Sequence, residues 1–492
     1  MFTHCPLLMA SLVSLYTITP ISGQPVDARE SVCRRLLGQI IAKVESNYAG
    51  YQLEVKADPE RLQRYNAFKV EQHRRATTTQ DDECLWLLRD YVRWFGDAHL
   101  FVQEYPVFSA DRLKEFKAST PWQPTDGLVE RLTAVHDRLD AIEGLWFTPE
   151  HEIAVTRTSD EATPTTFVAV ILETTSPHWQ TGDVLAEFSK HGSLYRSTLR
   201  MDDHSPRRYE ARIRHGLLLH MAPYSWGRRF PLPDHEKGTL HPQDPRAPHF
   251  RVLGTDATVI SLPSLSPQYR QPLQKICAEQ RVAITSRDVL IIDLRGNEGG
   301  SSTAARPLAP FFYGESLRPP LRAAGRPHVL SCPDTIAYYD QQKSGFFTPG
   351  WLKSIRRRLR TQPGQLIPLY EKDKGYEPYE PRQRHARPVH VAILVDGNVI
   401  SAGEAFLIDA KRHRKVKVFG RNTGGTIDYQ NVSIVGIGFG RHSYGLGYPI
   451  IAASENLPDG GFNADGIPPD VVFGSSVQDS IRAIREHYRD AK

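Results

Sequence analysis

Three stretches of this 492-residue chain bring together residue types able to support acyl transfer. The first, "HVAILVDGNVISAGEAFLIDAKRH" over residues 390–413, runs from an apolar strand pattern through a polar turn into a helical pattern, and Ser401 opens the helix. A serine there is either an ordinary N-cap or a nucleophile whose developing oxyanion meets unpaired N–H groups and a positive dipole end. The second, "LIIDLRGNEGGSS", empties an apolar strand over 289–294 into Gly296, Asn297, Gly299 and Gly300. Paired glycines let a backbone N–H approach a reacting carbonyl because no Cβ intervenes. A phosphate-binding loop is disfavoured, since the spacings GxGxxG and GxxxxGK[ST] are both absent. The third, "WFGDAHLFV", sets His99 beside Asp97 at a helix end. Histidine is the commonest base for activating a serine hydroxyl. The chain holds 19 histidines, so position has to single this one out.

The elements that must position these residues fall into blocks. Residues 30–116 carry apolar residues at three- and four-residue intervals, as in "VCRRLLGQIIAKVESNY" and "ECLWLLRDYVRWF", and predict helices. Gly96 closes the second, with a loop-to-strand transition after it. From Gly144 short β-type runs separated by Gly, Pro, Asp and Ser predict a small antiparallel β domain over 144–230. Residues 231–248 are proline-rich and read as a linker. From residue 249 to 492, apolar strands alternate with helices, which predicts a largely parallel sheet in an α/β domain. The fold expected is multi-domain α/β, with an N-terminal helical region over 24–140.

Hydrophobic content of 40% and charged content of 24% describe an ordinary globular protein. A net charge of +5 gives no reason to expect nucleic acid or a membrane surface as partner. Residues 1–23 lack Asp, Glu, Lys and Arg, and an apolar run from Leu7 to Ile18 precedes Pro20, Ser22 and Gly23. That order predicts a signal peptide and a secreted or periplasmic protein without stable membrane insertion. Its removal takes Cys5 and leaves Cys33, Cys84, Cys277 and Cys332, which allow three pairings. Cys33 and Cys84 lie in two helix-like segments of one region and are paired here. No HExxH or CxxC occurs, so neither metal nor cofactor is expected.

Four segments, "VLIIDLRGNEGG", "VAILVDGNVISAGEAF", "VFGRNTGGTIDYQN" and "DGIPPDVVF", occur in the order seen in the tail-specific and tricorn-core serine peptidases. "GDAHL" resembles that family's upstream D-x-H element. The resemblance implies a crotonase-like core, peptidase activity on peptide or protein substrates, Ser401 as nucleophile, and an oxyanion hole from backbone N–H groups near Gly299 and Ala402. The chain departs from the tail-specific pattern where the dyad lysine should stand: Thr426 occupies that position. In the tricorn-like branch histidine serves as base, and His99 matches it. That branch's late acidic residue corresponds to Asn463, with Asp465 and Glu455 nearby as possible orienters of the imidazole. A peptide-binding PDZ module is not recognisable. The alternative function is a non-catalytic ligand- or peptide-binding protein on the same scaffold.

Overall fold

The computed structural model describes residues 31–159, 165–314, 317–321, 325–342, 347–371, 379–439, 442–474 and 479–490. The expected signal peptide lies outside the described residues. The molecule is a multi-domain α/β protein, with helices and, among the described residues, three sheets, one of them closed into an antiparallel barrel.

The N-terminal helices start where the sequence supplies caps. Ser31 accepts from the Arg34 N–H to open Val32–Asn47, and Asp58 caps Pro59–Thr78 with proline at its first turn. Cys84–Arg93 follows, with Gly96 at φ 73° as its exit. A disulfide joins Cys33 to Cys84, Cα atoms 5.3 Å apart, and so ties the first helix to the one that leads to His99. Cys277 and Cys332 are buried free thiols.

Eight strands, from Gly144–Phe147 to Tyr224–Phe230, close the barrel around Trp146, Ile153, Phe167, Phe188 and Trp226. One end of the barrel grips the glycine turn. Arg214 donates to the Gly296 carbonyl (3.1 Å), and His220 lies 3.2 Å from the Glu298 carboxylate, which Arg246 also pairs. The proline-rich stretch after the barrel is anchored to the α/β part through Glu236, which accepts from Arg295 at 2.6 and 3.1 Å.

The six-stranded sheet has the order His249–Leu253, Ala257–Ser261, Val289–Asp293, His390–Val395, Val416–Gly420, Val471–Val472. Its first pair is antiparallel and the rest are parallel. Val289–Asp293 is buried along its whole length, as its unbroken apolar run requires. Both chemistry-bearing turns leave this sheet at the carboxyl ends of adjacent strands, which is where open α/β sheets build their sites. A third sheet is built on a hairpin of two eleven-residue strands, Tyr429–Phe439 with His442–Ala452. The strand Phe101–Glu104, just after His99, pairs with the second arm of that hairpin.

Candidate active site

Ser401 follows the strand His390–Val395 and stands at the N-cap of the helix Ala402–Ala410. Its backbone sits at φ 55°, ψ −118°, a conformation that costs a non-glycine residue about 1–3 kcal/mol and persists only where neighbours hold it. The restraints are specific. The Ser401 N–H donates to Thr426 Oγ1 (2.8 Å) and to Glu404 Oε2 (3.1 Å). The preceding Ile400 N–H donates to the Asn297 carbonyl (3.0 Å).

Glu404 is fully buried, and its carboxylate accepts from five donors in all. Beyond Ser401 these are Thr423 Oγ1 (2.6 Å), the Gly425 N–H (2.8 Å), the Thr426 N–H (2.8 Å) and Thr426 Oγ1 (3.0 Å). One carboxylate therefore locks the serine turn to the segment that leads into Tyr429. Thr426, where a lysine would stand in the tail-specific pattern, supplies a hydroxyl to this lock.

His99 comes from the turn after Gly96, 302 positions from the serine in sequence, and places Nε2 3.0 Å from Ser401 Oγ. Its Nδ1 lies 2.7 Å from the backbone carbonyl of Tyr429. A carbonyl oxygen only accepts, so Nδ1 carries the proton and Nε2 presents its lone pair to the serine hydroxyl. Asp97 fixes the turn: its Oδ1 accepts the His99 N–H (2.9 Å) and its Oδ2 accepts the Tyr48 hydroxyl (2.9 Å). The same carboxylate is 4.0 Å from Nδ1. Burial raises its pKa, and the adjacent His99 opposes that rise. Tyr429 is itself pinned, its hydroxyl donating to Glu54 (2.8 Å).

Asn463, Asp465 and Glu455, the possible orienters, make contacts of their own. Asn463 Oδ1 accepts the Asp428 N–H (2.9 Å), while Asp428 Oδ2 accepts the N–H groups of Asn463 and Phe462 (2.7 Å each). Asn463 thus shapes the approach to Tyr429 without bonding the ring. The Asp465 carbonyl accepts from the Asn422 amide, and Glu455 accepts the Arg326 N–H. The acceptor at Nδ1 is a main-chain carbonyl, which residue type does not announce. Glu404 carried a readable signal, the S-x-x-E spacing of a capping box.

The expected oxyanion donors divide. As a first-turn amide, the Ala402 N–H has no intrahelical acceptor and faces the helix N-terminus beside the serine. The Gly299 N–H is instead committed to Asn297 Oδ1 (2.8 Å). Gly299 matters sterically: a Cβ there would lie 2.7 Å from Ser401 Cβ, at φ 86°. Gly300 packs against Leu265, where a Cβ would lie 2.3 Å from the Leu265 carbonyl oxygen.

Residues 256–473 match the profile of peptidase family S41. This part of the chain belongs to peptidase family S41. That makes it a serine-type peptidase by class. No curated protein matches the chain in sequence. Among solved structures it is similar to mature CPAF complexed with lactacystin, at 12% identity and a TM-score of 0.47, covering 94% of this chain and 97% of that one. An S41 protease from Bacteroides fragilis NCTC 9343 is 10% identical, with TM-score 0.38 and coverages of 96% and 100%. The photosystem II D1 C-terminal processing protease is also 10% identical, with TM-score 0.33 and coverages of 92% and 96%.

Proposed function

We propose that this chain is an exported serine endopeptidase working through a Ser401–His99 dyad and an acyl-enzyme. The observation that carries the reading is the pair of contacts on one imidazole, 3.0 Å to Ser401 Oγ and 2.7 Å to a carbonyl that fixes the tautomer. His99 Nε2 takes the hydroxyl proton as Ser401 Oγ bonds to the scissile carbonyl carbon. The tetrahedral oxyanion is held by the Ala402 N–H and the helix N-terminus. The imidazolium is stabilised by the Tyr429 carbonyl and by Asp97 across 4.0 Å. Collapse breaks the C–N bond, and Nε2–H protonates the leaving amine. A water then gives its proton to His99, attacks the ester carbonyl and releases the new carboxylic acid with Ser401 regenerated.

The α/β part over 249–492 is read as a crotonase-like catalytic domain, with the helical region over 24–140 delivering the base and the β domain over 144–230 bracing the glycine turn. The Cys33–Cys84 disulfide supports export, since such bonds persist in oxidising compartments. Among the described residues no helix is long and apolar enough to cross a membrane. Ser401→Ala should abolish peptide hydrolysis while costing about 1 kcal/mol of stability, the loss of a cap. Wild-type turnover in that variant would refute the nucleophile.

A further inference from the structure

Two buried tyrosines stand behind the His99 turn, each between the histidine and a carboxylate. On one side Asp97 accepts both the His99 N–H and the Tyr48 hydroxyl. On the other, the Tyr429 carbonyl takes the Nδ1 proton while the Tyr429 hydroxyl donates to Glu54 Oε1 (2.8 Å). The two rings meet edge to face, with centroids 5.3 Å apart. Burial, reinforced by Asp97 and Glu54, raises both phenol pKa values, so the hydroxyls stay protonated and donate. Main-chain pairing gives Tyr429 limited support. The ladder is interrupted two residues on, at Asn431 with φ 61°, and Pro449 on the partner strand brings no N–H.

Glu54 lies in Tyr51–Lys56, a single π-helical turn, a rare geometry concentrated at functional sites. Gly50 precedes it. A Cβ there would lie 2.3 Å from the Tyr48 ring, so glycine is what lets that ring fold back against the turn. The second oxygen of Glu54 accepts from Arg61 (2.7 Å), whose guanidinium lies 5.7 Å from the centroid of Trp94. The carboxylate is thereby aimed at Tyr429, with its side chain 13% exposed. The charged groups around the imidazole are Asp97 on its own turn, Glu404 beneath the serine, Asp428 next to Tyr429, and Glu54 with Arg61 behind the tyrosine. We infer that Glu54 is a positioning residue for the dyad: by holding the Tyr429 hydroxyl it keeps the Tyr429 carbonyl against His99 Nδ1, and so fixes the tautomer and orientation of the base. The inference rests on the Ser401–His99 reading of the site.

The test follows His99 itself. Protein carrying isotope-labelled histidine is titrated by NMR at Cε1, the His99 signal being the one lost in His99→Asn. Labelling of Ser401 by a small phosphonate probe gives a maximal rate and a half-saturating concentration. Withdrawing the acceptor from Nδ1 disfavours the imidazolium. Glu54→Ala should therefore move the His99 titration midpoint down by about one pH unit. Maximal labelling should fall about tenfold with half-saturation unchanged. Tyr429→Phe, which deletes the hydroxyl and keeps the carbonyl, should reproduce both effects, and the double variant should be no worse than either single one. Glu54→Gln retains an acceptor oxygen for that hydroxyl and should stay within about threefold of native. An unmoved midpoint in Glu54→Ala and Tyr429→Phe would overturn the inference, and so would additive losses in the double variant. If Glu54→Ala does not fold, Tyr429→Phe decides by the same two readouts. A native protein that the phosphonate does not label, with a midpoint that still falls in both variants, would defeat the dyad while upholding Glu54 as the residue that places the ring.

Discussion

Ser401 holds an unfavourable backbone conformation because Glu404 and Thr426 share its N–H, and the energetic consequence is testable at single residues. Glu404→Gln keeps the volume but turns an all-acceptor group into one with two donors, which then face N–H and O–H groups buried with it. Leaving such groups unpaired costs about 1–3 kcal/mol, so kcat should fall roughly ten- to hundredfold with KM little changed. Thr426→Ser, which retains the hydroxyl, should stay near native. A Glu404→Gln enzyme with native kcat would show that the serine turn holds itself. The side chains with chemistry of their own were readable at this scale: Ser401, His99 and the cysteine pair differ from their neighbours in type, and Glu404 sat at capping-box spacing. Tyr429 was not readable, because it contributes a carbonyl that every residue owns. Asn463 was named from a family spacing, which transfers a position without transferring the partner that position meets; here Asn463 Oδ1 meets the Asp428 N–H.

The two turns at the ends of Val289–Asp293 and His390–Val395 work as one element. Asn297 is fully buried, receives the Ile400 N–H on its carbonyl and the Gly299 N–H on its side chain, and donates to the Leu262 carbonyl (2.6 Å). Gly299→Ala would place a methyl 2.7 Å from Ser401 Cβ on backbone at φ 86°. The strain is about 1–3 kcal/mol before any clash, and the serine has to move, so activity should drop at least about a hundredfold while the protein remains folded by circular dichroism. Native activity in Gly299→Ala would mean the two turns are free to part. The parallel strands were legible as unbroken apolar runs, and the barrel strands as short runs between turn residues. The hairpin from Tyr429 to Ala452 was harder to read, since Gly436, Gly438, Gly445 and Gly447 interrupt its alternation. Two of those glycines make room for neighbours, Gly445 for Tyr105 and Gly447 for Phe101, a tertiary reason with no local signature.

Across the whole molecule the proposed nucleophile and base come from parts of the chain that meet only when the helical region docks on the α/β part. The Cys33–Cys84 bond closes a loop with a separation of 51, worth about 4 kcal/mol of stability in the chain-entropy description. Replacing both cysteines by serine should lower the melting temperature, with peptide turnover falling in step as the turn bearing His99 loosens. Unchanged melting would show that the helices hold that turn unaided. The most direct measurement of the central claim is the rate of Ser401 labelling by a phosphonate probe, followed against pH in the native protein and in His99→Asn. A base that works only when unprotonated predicts labelling that slows on acidification in the native protein. It also predicts a rate at least about a hundredfold lower, and flat with pH, in the variant. Labelling of His99→Asn at the native rate, with the native pH profile, would contradict the dyad.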